Sequence, residues 1–232
     1  MGNREIRALI FDFDGLIVET EGPIYQSWQE LYQAHDQDLP FSLWSQIIGT
    51  YENPWHPLSE LEQRLARPVD EALLAARLQR ETELIARQKA MPGVEALLEA
   101  ARGAGLKIGL ASSSDREWVE THLTRLGLLH YFDCLRTKDD VRRTKPDPEL
   151  YLSALACLEV APEQALVLED SPMGVLAAHS AGIFAVAVPN DLTRVLPFEH
   201  ANLRLETLEG VSLDDLLARA GRNGGSPPRP AA

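Results

Sequence analysis

Asp12 and Asp14 stand one residue apart at the end of the apolar run Leu9-Ile-Phe-Asp-Phe-Asp-Gly15. Alternate residues of a strand point to one side, so the two carboxylates share a face where strand gives way to loop. Like charges at that spacing need a cation or a shared proton to offset their repulsion. Alone, the pair fits an Asp-containing turn as well as a metal or nucleophile site. Further groups change the balance: Ser112-Ser113-Ser114-Asp115 after a second apolar run, Glu169-Asp170 after a third, and Lys145 in Lys-Pro-Asp-Pro148. Carboxylates with no His or Cys beside them suit Mg²⁺. A carboxylate is also a nucleophile toward phosphorus and forms an aspartyl-phosphate. Phosphoryl transfer otherwise needs positioning and charge neutralisation, which a metal, a lysine and a serine hydroxyl supply.

Each piece has a plainer reading. Ser112 to Ser114 could serve only to cap a helix, with Ser114 or Asp115 as the cap. Lys145 could be a solvated surface lysine, although it is one of only Lys89, Lys107, Lys138 and Lys145, and Pro146 stiffens its approach. Glu169 and Asp170 could belong to an ordinary strand-to-helix turn, with Ser171 as N-cap and Pro172 at the first helical position. The functional reading requires that one fold bring all of them to one place.

The pattern of elements predicts that it does. Strands are expected at about 6–13, 106–111, near 132–135, 165–168 and 183–188, alternating with helices beyond Met91. Pro92 suits a first helical position, followed by the stripe Val94, Leu97, Leu98 and Ala101. Alternating strands and helices imply a parallel α/β sheet with right-handed crossovers. Ligands then sit at the carboxyl ends of the strands, where the candidate groups stand. Residues 20–90 have helical periodicity (Ile24, Trp28, Leu31, Tyr32; Leu58, Leu61, Leu65), punctuated by Pro40, Pro54, Pro57 and Pro68. That block reads as a helical insertion between core segments 1–19 and 91–220, and residues 221–232 read as a disordered tail.

Composition narrows the partners. The net charge of −13 disfavours nucleic acid and anionic membranes but not a small phosphorylated metabolite, because a local cation can reverse the field in one pocket. No stretch has the length of a membrane span, and the start lacks signal-peptide architecture. Cys134 and Cys157 have no metal spacing and read as inert thiols in a reducing compartment. The expectation is a cytoplasmic protein, by default a monomer.

Asp12-Phe-Asp14-Gly15 with Thr20-Glu21, then Ala111-Ser112-Ser113-Ser114, Lys145-Pro-Asp-Pro and Glu169-Asp170-Ser171-Pro-Met-Gly174 resemble, in order and spacing, the haloacid dehalogenase superfamily. Within it, the chain is similar to the phosphatase and beta-phosphoglucomutase branch with a helical cap. The resemblance implies a Rossmann-like parallel sheet core and a cap, about 20–90, that closes over the site and chooses the substrate. It implies Asp12 as nucleophile and Asp14 as general acid, then base. Ser112, Ser113 and Lys145 would bind the phosphoryl oxygens. Asp12, the Asp14 carbonyl and Asp170 would ligate Mg²⁺, with Glu169 bound directly or through water. The cap residues Glu21, Gly49 and Thr50 are candidates to touch substrate, as are Trp44, Tyr51, Asn53, Trp55 and His56, whose aromatic members fit packing equally well.

Departures narrow the activity. Dehalogenases lack the second Asp, present here as Asp14. Phosphonatases also lack it and use a cap lysine, and the only lysine near this cap is Lys89 at its end. The mutase's cap histidine, ten residues past that Asp, is Ile24 here. A small-phosphomonoester hydrolase is therefore expected, with a phosphomutase as the enzymatic alternative. A phospho-acceptor signalling module or a non-catalytic scaffold is the rival from another class. A receiver module carries its acceptor Asp on a later strand without a cap, and a scaffold predicts a missing motif residue, whereas every motif residue is present.

Overall fold

The computed structural model describes residues 5–48 and 55–222. Six parallel strands form one sheet: β1 (Ala8–Phe11), β2 (Lys107–Ala111), β3 (Cys134–Arg136), β4 (Ala165–Glu169), β5 (Phe184–Ala187) and β6 (Leu203–Arg204), in the order β3-β2-β1-β4-β5-β6. Both faces are covered, which is why the strands read as continuous apolar runs. Leu9 and Phe11 of β1 join the larger core, under helices α5 (Val94–Gly103), α6 (Arg116–Leu126) and α9 (Leu213–Arg222). Ala8 and Ile10 point the other way, into a core rich in alanine (Ala154, Ala177, Ala185, Ala187) beneath α7 (Glu149–Leu158) and α8 (Pro172–Ser180). Small side chains on that face let helix and sheet approach closely, and a Cβ on Gly109 would come within 2.8 Å of Leu158.

Between β1 and β2 lie α1 (Glu21–Gln33), α2 (Phe41–Trp44), α3 (Pro57–Leu65) and α4 (Glu71–Ala86). They enclose their own apolar cluster around Trp28, Tyr32, Trp44 and Leu61. The chain leaves and re-enters the sheet side by side: Val18 bridges Ala90, and the Met91 amide donates to the Ile17 carbonyl at 2.8 Å. Arg80 donates to both oxygens of Glu30 at 2.9 and 3.1 Å, tying α4 to α1.

Several expectations are corrected. Helix α5 starts at Val94 behind Gly93, not at Pro92; Gly93 has φ +86 and a Cβ there would lie 2.1 Å from the Leu208 carbonyl oxygen, so the loop before the helix needs glycine. Helix α9 runs to Arg222, so the tail does not begin at 221; residues 223–232 lie outside the described residues. Cys134 and Cys157 are not free thiols but a disulfide between β3 and α7, with Cα atoms 6.2 Å apart. A separation of 23 residues gave no hint that α7 packs across the β3 edge. The argument for a reducing compartment rested on free thiols and loses its premise. Among the described residues no helix is long and apolar enough to cross a membrane.

Candidate active site

Three strand ends deliver the site. Beyond Phe11 the Asp12 amide still donates to the Leu168 carbonyl at 3.0 Å, so Asp12 is held in line with Glu169 and Asp170. Gly15 then turns the chain with φ +81, and a Cβ there would sit 2.3 Å from Asp170 Oδ2. Both the turn and the closeness of Asp170 require glycine.

Asp12, Glu169 and Asp170 are buried, with one oxygen from each within 4.8 Å of the others. Facing them is Lys145, only 2% exposed, which donates to Asp12 Oδ1 and, at 2.6 Å, to Glu169 Oε1. The surface reading of Lys145 is thereby excluded. Glu169 is fully engaged by protein donors. Tyr151 donates to Oε1 at 2.8 Å, and the Ser171 amide and hydroxyl donate to Oε2 at 3.1 and 3.0 Å. Asp170 Oδ2 accepts from Asn190 Nδ2 at 2.9 Å.

One cation against three buried carboxylates leaves excess negative charge, and the titration follows. Burial, and then Glu169, push Asp12 up to about 8 in spite of Lys145. Burial, then Asp12 and Glu169, raise Asp170 well above the carboxylate range. Burial alone would lower the Lys145 ammonium, but its two carboxylate partners raise it above the ordinary lysine value. A protein left to itself does not place three carboxylates together unless protons or a cation join them. The all-oxygen donor set fits a hard divalent ion such as Mg²⁺.

The Asp14 side chain is outside that cluster. Thr20 Oγ1 and Trp118 Nε1 donate to its Oδ1 at 2.8 and 3.0 Å, and Ser114 Oγ donates to Oδ2 at 2.6 Å. Asp115 is the N-cap of α6, accepting from the Trp118 amide at 2.8 Å, so Ser112 is not needed as a cap. Ser112 Oγ instead accepts from the Ser114 amide at 3.0 Å and lies 3.4 Å from Asp14 Oδ2. Among the described residues the buried Ser113 hydroxyl has no hydrogen-bond partner.

A cavity of about 430 Å³ joins these groups to the helical insertion. Asp12, Asp14, Ser112, Ser113, Lys145 and Asp170 line it on the sheet side and Trp44, Trp55 and His56 on the side of the insertion, with Glu21 near enough to Asp14 and Asp12 to feel their charge. Glu169 is wholly buried behind Lys145 and does not reach the cavity. Burial, then the charge of Asp14, push the Glu21 carboxyl up to about 8. The candidates Gly49, Thr50, Tyr51 and Asn53 lie outside the described residues.

Three participants escaped the sequence reading. Asn190 follows the fifth strand, so the strand-end rule that located Asp12 and Glu169 could have flagged it. Tyr151 and Trp118 sit inside helices, where an aromatic residue looks like core; nothing local marks their polar atoms as bound to acids.

A family model described as haloacid dehalogenase-like hydrolase matches residues 9–188. The "Putative phosphatase YhcW" of Bacillus subtilis (strain 168) is 46% identical over 213 residues, covering 91% of this chain and 96% of that protein. The "Phosphorylated carbohydrates phosphatase" of Thermotoga maritima is 32% identical over 178 residues, covering 77% and 82%. Among solved structures, a mutant CbbY from Rhodobacter sphaeroides in complex with xylulose-(1,5)bisphosphate superposes with a TM-score of 0.69 at 26% identity, over 89% of this chain and 96% of that one.

Proposed function

We propose that this chain, which belongs to the haloacid dehalogenase-like hydrolase family and is a phosphatase, hydrolyses the phosphomonoester of a phosphorylated carbohydrate through an aspartyl-phosphate on Asp12. The observation that carries this reading is the buried Lys145, bound to Asp12 and Glu169 on the floor of a cavity that Asp14 and Ser113 also line.

Lys145 fixes one oxygen of Asp12, leaving the other to attack phosphorus as the ester P–O bond breaks. The Asp14 carboxyl gives its proton to the departing alkoxide. The resulting carboxylate then takes a proton from water, whose oxygen attacks phosphorus, breaks the bond to Asp12 and releases inorganic phosphate. The Ser112 and Ser113 hydroxyls and Lys145 receive the phosphoryl oxygens. Asp12 and Asp170, with the Asp14 carbonyl, would hold Mg²⁺, which when bound supplies positive charge to the phosphoryl group. Since both Glu169 oxygens are occupied by protein donors, its part is to hold Lys145 and Ser171.

Mg²⁺-dependent phosphate release from a panel of small phosphomonoesters tests this. Asp12→Asn should reduce release by on the order of 10³-fold or more. No release from any monoester, with or without Mg²⁺, would overturn the hydrolase reading and favour a mutase that needs a bisphosphate activator.

Metal removal gives a second expected outcome. Asp12 is raised from 3.8 in an unstructured chain to about 8 in the fold, so the folded state binds the extra proton. Its contribution to stability is complete below about pH 4 and is lost as pH rises toward 8. Chelator-treated protein should therefore melt at lower temperature at pH 8 than at pH 5, as far as this cluster governs. Millimolar Mg²⁺, binding only the fold, should raise Tm more at pH 8 than at pH 5. Equal Mg²⁺ shifts at both values in a scanning fluorimetry series would remove the metal from this cluster.

A further inference from the structure

Beyond the phosphate end, the cavity is walled by tryptophan and carboxylate. Trp28, Trp44 and Trp55 line it, together with Glu81 and with Glu21, which stands nearest the acids, while Trp118 is held at the phosphate end by Asp14. Lys145 is the one lysine or arginine among the described residues lining the cavity, and it is already bound to Asp12 and Glu169. The guanidinium standing behind the far wall, that of Arg77, is engaged three ways. It donates to Glu81 Oε2 at 2.5 Å and to Ser27 Oγ at 3.0 Å, and it lies over the Trp28 ring at 4.3 Å. His56 Nδ1 accepts from the Leu58 amide at 3.2 Å and caps α3.

The Glu21 carboxyl lines the cavity without an ion pair or side-chain hydrogen bond among the described residues. A carboxyl in that position accepts hydrogen bonds from hydroxyls. An anionic group arriving beside it meets either a like charge or an acid, and no cation. Aromatic faces pack on the C–H faces of a sugar or polyol, since the negative ring face attracts the positive edge of C–H bonds.

We propose that Glu21 is a specificity-determining residue that admits a substrate with a single phosphate and an uncharged polyhydroxy remainder, and rejects one carrying a second phosphate or a carboxylate. The inference takes from the hydrolase reading only the end of the cavity at which the phosphate sits. It sets this chain apart from the relative crystallised with xylulose-(1,5)bisphosphate. A mutase working through a sugar bisphosphate would need a cation that the described residues of this wall do not supply.

The test is equilibrium binding, followed by tryptophan fluorescence and calorimetry, in the Asp12→Asn protein with Mg²⁺ at pH 9, where Glu21 is ionised. The probes are glucose 6-phosphate and glucose 1,6-bisphosphate. The bisphosphate is expected to bind on the order of 100-fold more weakly than the monophosphate. Adding Glu21→Gln should raise bisphosphate affinity relative to monophosphate affinity at least about tenfold, because the amide removes the negative charge and adds donors. Glu81→Gln in the same background should act in the same direction by releasing Arg77 toward the cavity. Bisphosphate binding as tight as monophosphate binding, or a ratio unmoved by Glu21→Gln, overturns the proposal. Wild-type phosphate release, measured separately, judges the hydrolase reading. Selective binding without turnover would sink that reading and leave the selectivity standing.

Discussion

Replacing Lys145 with Met is expected to cost about 3–5 kcal/mol of stability at pH 8.5 and to abolish phosphate release. Methionine keeps most of the volume and all of the apolar stem, so a packing role alone would leave the fold nearly intact. The charge is what matters. Lys145 is 2% exposed and satisfies Asp12 and Glu169 together, and Glu169, which has no exposed surface, cannot turn to water. Without the ammonium, two buried carboxylates face each other, and one must take up a proton or the site must open. Asp12 already sits at about 8 with the lysine present; removing the attraction raises it further. The folded variant therefore holds a proton that the unfolded chain releases above about pH 4, and its deficit grows as the pH rises. Denaturant titrations at pH 5.5 and 8.5 should show a loss at least about 1 kcal/mol smaller at the lower value. A loss below about 1 kcal/mol at both values would mean that the lysine does not hold the acids. A loss equal at both would mean that proton uptake by the two acids does not govern the deficit.

How much of this arrangement was legible depended on whether a residue announces its role through local chemistry. The strand-end acids were legible because parallel strands are apolar throughout and an abrupt pair such as Asp12 and Asp14 interrupts the pattern. The same break marks Glu169-Asp170, and the Ser171-Pro172 cap was read correctly: Ser171 Oγ accepts from the Gly174 amide at 3.1 Å. The division of labour among the acids was not legible. Nothing in the sequence says that Glu169 turns away from the cavity while Asp170 enters it, because that depends on Tyr151 approaching from α7, 18 residues away in the chain. Nor does it say that Asp14 leans toward Trp118, since this contact joins a loop to a helix across 104 residues. Edge elements failed for another reason. The two residues of β6 carry too short a pattern to recognise. The disulfide joins two positions whose neighbourhood exists only once α7 lies on β3.

Gly174→Ala sets two effects of opposite sign against each other, and the larger should destabilise strongly. Gly174 lies within α8, where alanine is favoured over glycine by about 0.8–1 kcal/mol. On propensity alone the variant is more stable. Its Cβ, however, would stand 1.8 Å from Glu169 Oε1 and 1.9 Å from the carboxyl carbon. The end of a glutamate side chain ordinarily swings aside at little cost. Here it is held by Lys145, Tyr151 and two donors from Ser171, with no exposed surface to move into. Moving it leaves buried donors unpaired at about 1–3 kcal/mol for each, and more for the charged lysine. The steric effect therefore wins, with an expected net loss of at least about 3 kcal/mol. Because Lys145 also positions Asp12, phosphate release should fall with it. Gly103→Ala is the matched control: it too is in a helix, nothing lies within 4 Å of its added Cβ, and it should stabilise by about 0.4–1 kcal/mol. Thermal melts of the two variants beside wild type read both signs at once. If Gly174→Ala is as stable as Gly103→Ala, the carboxylate of Glu169 has room to move, and the rigid cradle that binds Lys145 to Asp12 is not what this site depends on.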